Sequence, residues 1–266
     1  MVAIRQKLRI GQAALWLLLP IALSRVASEV NKFKIPMPTF ESPEKIGNIL
    51  PKNKRIRAGE IDLGTQEGFN IALEELRKGD DKHQPKLKVG EFGRVSYHYY
   101  RMEGEAKKTP KQLDELIKNK KEFQNAQQKI AQLLTILADF NVLVVVGEPR
   151  LKGAAGEWDP SRQTIRIGPS ALGQGSEVTL KILNHEAMHV AQSCHNGGIN
   201  YKPKPLEIEL SPTKIFQRQL NSDIYSQIGA KTKRLESEAY SYEYSNKAVR
   251  HFLAKYCTGK SSSSSS

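Results

Sequence analysis

The sequence lacks several features on which whole classes of protein depend. Cysteine occurs only twice in 266 residues, so the chain can form at most one internal disulfide. No segment repeats, which excludes an array of stacked repeats. No basic run is interleaved with aromatic residues, so no specific nucleic-acid site is expected. The 39% of hydrophobic residues is nevertheless adequate for the packed core of one good-sized domain.

The longest apolar run is also short for a membrane span, which needs roughly 20 residues. It covers about residues 13–23, with three basic residues before it and small residues after it. This order of charged, apolar and small residues is typical of a secretory signal over residues 1–28. The alternative is an uncleaved membrane anchor through residues 10–27. Both interpretations predict that the rest of the chain is exported to a periplasm, a lumen or the extracellular space.

Negative charge is in short supply. The chain has 41 Lys and Arg against 28 Asp and Glu, which gives a net charge of +13. Removing residues 1–28 subtracts four basic groups and no acidic ones, and leaves +9. Such a charge favours anionic partners, such as lipid, cell-wall polymer or nucleic acid, although a generally basic solvated surface explains it as well.

Periodicity and turn residues divide the chain into segments. Residues 29–58 hold four prolines and seven basic residues, and are expected to form a linker. Residues 59–108 combine a short helical pattern with a strand-like stretch, which indicates a small N-terminal subdomain. Residues 109–257 form the predicted main domain. The Ser-rich tail, residues 258–266, is expected to be disordered or an expression remnant.

The main domain begins with a capping box of Thr109 and Gln112, which marks the start of a helix. Its predicted elements are, in order, that helix of about 30 residues, a buried strand at 142–146, an alternating strand at 164–167, a helix around 183–195 and a final helix from about Lys231 to Tyr256.

Histidine is scarce, yet three of the six histidines lie in one stretch, LNHEAMHVAQSCH at residues 183–195. Histidines four apart on a helix present their rings on one side, as His185 and His189 do here. Glu186 is turned about 100° further round, near enough to reach a metal-bound water. The apolar residues of the stretch fall opposite the histidines on a helical wheel, so the helix is expected to face a cleft with its back in the core.

The motif HEAMH, preceded by strand, loop and helix, resembles the zincin superfamily of zinc metallopeptidases over roughly residues 111–257. The resemblance implies an α+β zincin-like fold, in which a small twisted sheet packs on the active-site helix, with a long preceding helix and a C-terminal ligand helix. It also implies Zn²⁺ bound by His185 and His189. Glu186 would be the general base that takes a proton from a zinc-activated water to hydrolyse a peptide or protein substrate.

The third metal ligand separates the zincin subfamilies. His195 stands where metzincins have their third histidine, but Gln192 replaces the glycine that lets their helix turn. No methionine follows Met188, so the metzincin methionine turn is missing as well. Gluzincins instead take a glutamate from a later helix, and the sequence offers Glu236 and Glu238.

These two glutamates are nearly equivalent by pattern. Glu236 resembles the E-x-x-A pattern of CAAX-protease-type families, and Glu238 resembles the E-A-x-S portion of the thermolysin-type signature. Helical phase favours Glu238 slightly, because it lies nearer the apolar face of the final helix. In both comparisons a tyrosine, Tyr240 or Tyr242, replaces the acidic residue that normally follows.

Further residues are candidates for supporting roles. Gln192, one turn beyond His189, could form a hydrogen bond behind the metal ligands. Tyr242 and His251 follow the candidate glutamates and could stabilise an oxyanion, although packing explains them as well. The strand at 163–168 is expected to be an edge strand that pairs with an extended substrate, as the strand before the active-site helix commonly is in zincins.

Two questions stay open at this stage. An exported protein with two cysteines invites a disulfide, but a straight final helix would carry Cys257 some 30 Å beyond Glu236. The second question is whether the chain is an enzyme. A non-catalytic zincin-like module that binds anionic envelope components is the alternative, and the missing acidic residue after the glutamates favours it.

Overall fold

The computed structural model describes residues 55–101, 105–119, 121–210 and 229–258. The predicted signal or anchor, most of the predicted linker and the tail beyond Thr258 lie outside these residues. Within the described ranges, no helix is both long enough and apolar enough to cross a membrane.

The chain is a mixed α+β protein, as the sequence predicted. Its elements are β1 (Ile61–Asp62), α1 (Gln66–His83), β2 (Lys86–Val89), β3 (Val95–His98), α2 (Pro110–Lys118), α3 (Lys121–Asp139), β4 (Leu143–Val146), β5 (Gly156–Asp159), β6 (Thr164–Ile167), α4 (Pro169–Leu172), α5 (Ser176–His195), α6 (Ala230–Tyr242) and α7 (Asn246–Cys257).

The backbone divides into two compact units. The described part of the smaller unit lies within residues 84–118, and the larger unit contains the other described residues. In the smaller unit, β2 and β3 form an antiparallel hairpin, and α2 opens with the predicted capping box, where the Thr109 N–H donates to Gln112 at 2.8 Å. β1 and α1, which the sequence assigned to a subdomain at 59–108, belong to the larger unit.

The prediction of one helix of about 30 residues from Thr109 was wrong. α2 ends at Lys118 and α3 begins at Lys121, and the two helices belong to different compact units. Residues 118–121 read Lys-Asn-Lys-Lys, so this stretch has no apolar side chain to bury against a core. The apolar spacing on either side of the break is helical, which is why the two helices looked continuous.

The larger unit contains a four-stranded sheet with the strand order β1-β4-β6-β5. β4 and β6 are parallel in the centre, and β1 and β5 pair antiparallel at the edges. Every residue of β4 and β6 is buried, so the predicted strands at 142–146 and 164–167 are confirmed. The buried guanidinium of Arg166 is balanced by Glu60, whose carboxylate lies 2.7 Å from its Nε atom.

The prediction that residues 163–168 form a substrate-binding edge strand was wrong. β6 is paired on both sides, because Ile165 lies opposite Val144 of β4 and opposite Trp158 of β5. The alternation of isoleucine with polar residues suggested one solvated face. Arg166 is instead buried with acidic partners, and a sequence pattern cannot distinguish a buried arginine from an exposed one. Among the described strands, β5 is the edge on this side of the sheet.

α5 packs against α3, α6, α7, β5 and β6, so it lies at the centre of the larger unit. Its N-terminus is held by Asp80, whose carboxylate accepts from the Ser176 N–H at 2.6 Å and from the Ser176 hydroxyl at 2.6 Å. α1 can approach this closely because residue 79 is glycine. A Cβ atom on Gly79 would lie 2.3 Å from the Gly175 nitrogen.

The predicted final helix is also two helices, α6 and α7, with Ser245 as the N-cap of α7. Because the chain bends there, α7 packs along α5 and brings Cys257 to Cys194. The two cysteines form a disulfide, with 5.0 Å between their Cα atoms. The expectation that these cysteines would lie far apart rested on a straight final helix, which the structure does not have.

Candidate metal centre

The motif helix has the predicted orientation. Its apolar back is in the core, since none of these residues is more than 2% exposed: Leu183, Ala187, Val190, Ala191 and Cys194. The His185 and His189 side chains lie on the opposite side and keep 11% and 12% of their surface exposed. A ligand therefore has access to the histidines from one side of α5.

α6 brings a carboxylate to the two histidines. The Nε2 atoms of His185 and His189 lie 3.2 Å apart, and the Glu236 carboxylate oxygens lie 3.3 Å from the first and 3.6 Å from the second. In a tetrahedral site with bonds of about 2.0–2.1 Å, neighbouring ligand atoms lie about 3.3–3.4 Å apart. The three residues thus form a cluster, here called the His-His-Glu cluster, whose spacing fits a metal ion.

Gln192 determines which nitrogen of His189 carries the proton. The Gln192 side-chain nitrogen donates to the Leu235 carbonyl at 3.1 Å and to Glu238 at 3.0 Å. Its amide oxygen must therefore face His189 Nδ1, at 2.7 Å, and accept a hydrogen bond from it. A neutral His189 with its proton on Nδ1 has a free lone pair on Nε2, the atom that faces the His-His-Glu cluster.

Glu238 lies behind the histidines rather than beside the metal position. It is fully buried, and its carboxylate accepts from Gln192, from the backbone N–H groups of Leu206 and Glu207 at 2.8 and 2.9 Å, and from Arg234 at 3.2 Å. The structure brings Glu236, and not Glu238, to the histidines. The helical phase favoured Glu238 because it reports burial, and the more buried glutamate is the one that anchors neighbouring backbone.

Acidic groups surround His185. Burial by itself would lower the pKa of this imidazole, but the hydrogen bond to Glu236 and the charges of Glu186, Glu236 and Glu243 outweigh it, so the pKa lies above its ordinary value. The Tyr240 ring packs on the His185 ring with 4.5 Å between their centres. His185 is therefore confined from several directions.

Glu186 is only 6% exposed and lies between α5 and β5. Burial raises the pKa of this carboxyl more than the two histidines and the Trp158 N–H lower it. β5 can lie close to Glu186 because residue 156 is glycine. A Cβ atom at this position would lie 2.7 Å from a Glu186 carboxylate oxygen. A larger residue at position 156 would displace the glutamate.

The remaining candidates from the sequence lie away from the His-His-Glu cluster. His195 is the last residue of α5 and packs against Tyr256, with ring centres 5.1 Å apart. The Tyr242 hydroxyl donates to the Glu209 carbonyl at 2.9 Å, and His251 packs against Phe252. An oxyanion role for Tyr242 or His251 stays a prediction. A cavity of about 460 Å³ is lined by residues of β1, α1 and the end of β4, and none of them belongs to the cluster.

Sequence reasoning missed three residues of the site: Glu243, Trp158 and Gly156. For Glu243 a signal existed, because it follows Glu236 by seven residues, and positions seven apart on a helix point in nearly the same direction. For Trp158 and Gly156 no signal existed, since their importance depends on β5 crossing close to α5.

Comparison with known proteins adds one finding. Residues 174–258 match a family described as "Domain of unknown function (DUF8637)". This segment contains α5, α6 and α7, and hence all three residues of the His-His-Glu cluster. No curated protein and no solved structure is significantly similar to the chain.

Proposed function

We propose that this protein is an exported, zinc-dependent metallopeptidase of gluzincin type, with a zincin-like fold. The observation that carries the proposal is the spacing of the His-His-Glu cluster, in which His185, His189 and Glu236 fit a tetrahedral metal ion. Three protein ligands leave the fourth position open, as catalytic zinc sites require. Imidazole and carboxylate donors suit Zn²⁺ among the common ions.

Glu186 is the proposed general base. A bound Zn²⁺ would lower the pKa of a water at the open position and polarise the carbonyl of the scissile peptide bond. Glu186 then takes a proton from the attacking water and delivers it to the nitrogen of the leaving amine. Its position supports this role, because it directly follows the proposed ligand His185 on α5 and the backbone N–H of Trp158 donates to its carboxylate.

The proposed substrate is an extended peptide or a segment of a protein. The edge strand β5 lies beside Glu186, and an edge strand can pair with the backbone of an extended chain. The predicted signal or anchor and the disulfide support export, because disulfides persist in oxidising compartments. The net charge of +13 supports contact with an anionic surface near the substrate.

The alternative is a non-catalytic module that binds anionic envelope components. It has less support once the surroundings of His185 are considered. Its main argument was the missing acidic residue after the glutamates. The carboxylate of Glu243 lies 3.9 Å from His185 Nδ1, so an acidic side chain does stand behind this histidine. Net charge is the remaining argument for the module.

Zinc content and the Glu186→Gln variant test the proposal together. The purified full chain is expected to hold about one Zn²⁺ and to cleave peptides from a quenched fluorescent library, and a chelator should stop the cleavage. Glu186→Gln should keep the zinc and lose hydrolysis. Glu177→Gln, on the first turn of the same helix, is the matched control and should stay active.

Two outcomes would count against the proposal. Full activity of Glu186→Gln would remove the general base from the mechanism. A metal-free chain that binds anionic polymer and cleaves no peptide would support the module instead.

A further inference from the structure

The position that carries the acidic residue in the zincin patterns is occupied here by an aromatic ring. Four residues after Glu236 the chain has Tyr240, whose ring packs against the His185 ring. A tyrosine in this contact confines the imidazole sterically, but it brings no negative charge to the ring. The question is which group accepts the proton on His185 Nδ1.

The Nδ1 atom of His185 is buried and makes no hydrogen bond within 3.5 Å. Leaving such an atom without an acceptor costs free energy, so a nearby acceptor has a strong tendency to close on it. One carboxylate oxygen of Glu243 lies 3.9 Å away, and Glu243 is itself only 3% exposed. A small change of the Glu243 side-chain torsions would complete the hydrogen bond.

The chain fixes Glu243 at this position through its backbone. Glu243 is the residue at the C-terminal end of α6, and its carbonyl accepts from the Asn184 side chain at 2.9 Å. Asn184 accepts in turn from the Asn246 side chain at 3.1 Å. Because Asn184 directly precedes His185, this pair of amides ties the end of α6 to the histidine whose ring Glu243 faces.

The charge of Glu243 is balanced on its other side. The ammonium group of Lys181 lies 3.3 Å from the second carboxylate oxygen of Glu243, and also lies over the Tyr244 ring at 5.1 Å. Lys181 is one helical turn before His185 on α5. The carboxylate therefore lies between the Lys181 ammonium group and the His185 imidazole.

We propose that Glu243 is the positioning residue of His185. Its carboxylate accepts the Nδ1 proton, which leaves the Nε2 lone pair directed at the metal position and makes the imidazole a stronger donor to a metal ion. Glu243, three residues after Tyr240, thus supplies the carboxylate that Tyr240 does not. This inference rests on the proposed metal site, but it does not require that the protein cleave peptides.

Zinc affinity of the full-length chain tests the inference. The dissociation constant for Zn²⁺ would be measured by competition with a chromophoric chelator for the wild type, Glu243→Ala and Glu243→Gln. Glu243→Ala should weaken binding by about 10- to 100-fold, the usual effect of removing such a partner. Glu243→Gln keeps the shape and an acceptor oxygen but not the charge, so its loss should be smaller than that of Glu243→Ala.

Two controls separate positioning from damage to the fold. Glu177→Gln, on the first turn of α5, should bind Zn²⁺ like the wild type. Thermal unfolding of the metal-free proteins should show Glu243→Gln close in stability to Lys181→Met, because both variants lose the same ion pair. In the zinc-loaded wild type, the ¹⁵N spectrum should show His185 protonated at Nδ1.

The outcomes distinguish this inference from the proposed function. Wild-type zinc affinity in both Glu243 variants would overturn the positioning role and leave the metallopeptidase proposal intact. A wild-type chain that binds no Zn²⁺ would overturn both. Loss of peptide cleavage in Glu186→Gln alone would leave the inference about Glu243 unaffected.

Discussion

The two histidines of the His-His-Glu cluster are held in different ways. His189 donates to a neutral amide, that of Gln192, and a buried carboxylate, Glu238, orients the amide from behind. His185 faces the carboxylate of Glu243 with no amide between them. In the proposed metal site, one imidazole would thus be fixed through an amide relay and the other directly by a carboxylate.

The carboxylates behind the two histidines, Glu238 on the His189 side and Glu243 on the His185 side, also differ in their other contacts. Glu238 accepts hydrogen bonds from the backbone of Leu206 and Glu207, so it holds the loop after α5 as well as Gln192. The Glu243 carboxylate faces Lys181 and His185 instead. Changes on the His189 side should therefore cost stability, and changes on the His185 side should mainly affect metal binding.

The largest effect is expected from Glu238→Ala. The change leaves two backbone N–H groups, the Gln192 amide and the Arg234 guanidinium without their buried acceptor. It should lower the free energy of unfolding by about 3–5 kcal/mol, measured by chemical denaturation. Glu236→Ala is the matched control, two residues away on α6, and should lose zinc binding with a far smaller loss of stability. Equal stability losses in the two variants would contradict the distinction between them.

A smaller effect is expected from Gln192→Met. Methionine has a similar length but cannot accept the His189 proton, so the Nε2 lone pair is no longer held toward the metal. Zinc affinity should fall by about 10- to 100-fold, as measured by chelator competition. The same change at Gln66, an exposed residue of α1, should leave zinc affinity unchanged. Unaltered binding in Gln192→Met would show that the relay to Glu238 serves only the fold.

The smallest effect is expected from Lys181→Met. Burial lowers the pKa of Lys181, but the charge of Glu243 and the interactions with Tyr244 together outweigh it, so the pKa lies above its usual value. The ion pair therefore stabilises the protein below the pKa of a free lysine, and the contribution disappears as pH rises through the raised pKa. Lys181→Met should lower the free energy of unfolding at neutral pH by about 1 kcal/mol.

Zinc affinity in Lys181→Met sharpens the comparison further. Glu243 keeps its carboxylate in this variant, so zinc binding should weaken less than in Gln192→Met. A larger loss of zinc affinity in Lys181→Met than in Gln192→Met would mean that the Lys181 ammonium group, and not the Glu243 carboxylate, holds His185 in position for metal binding.

Local pattern was enough to predict the helix that carries the motif. The spacing of His185 and His189 and the apolar residues opposite them fix the direction of their side chains once a helix forms, and the structure has this arrangement. The strands at 142–146 and 164–167 were also predictable, because the apolar run is too short for a typical helix and the second run alternates after a turn.

What could not be predicted depends on contacts between distant segments. Glu236 and Glu238 flank the apolar face of α6 at similar angles from its centre, and only the position of α5 decides which of them meets the histidines. The apolar spacing of the sequence stays helical across the bend between α6 and α7, so the pattern gives no sign of the bend. The pairing of β6 on both sides depends on β5, a strand that carries no strong sequence signal.

The disulfide between Cys194 and Cys257 closes a covalent ring that begins at the C-terminal end of the histidine helix α5 and contains the whole of the glutamate helix α6. The cysteines are 63 positions apart, and the segment between them carries Glu236, Glu238 and Glu243. In the chain-entropy model, closing a ring of this size stabilises the folded state by about 4 kcal/mol. If the proposed metal ion dissociated, the disulfide would thus keep α6 near α5 for rebinding. In a reducing compartment the disulfide would open, and loss of the ion would then allow the two helices to separate.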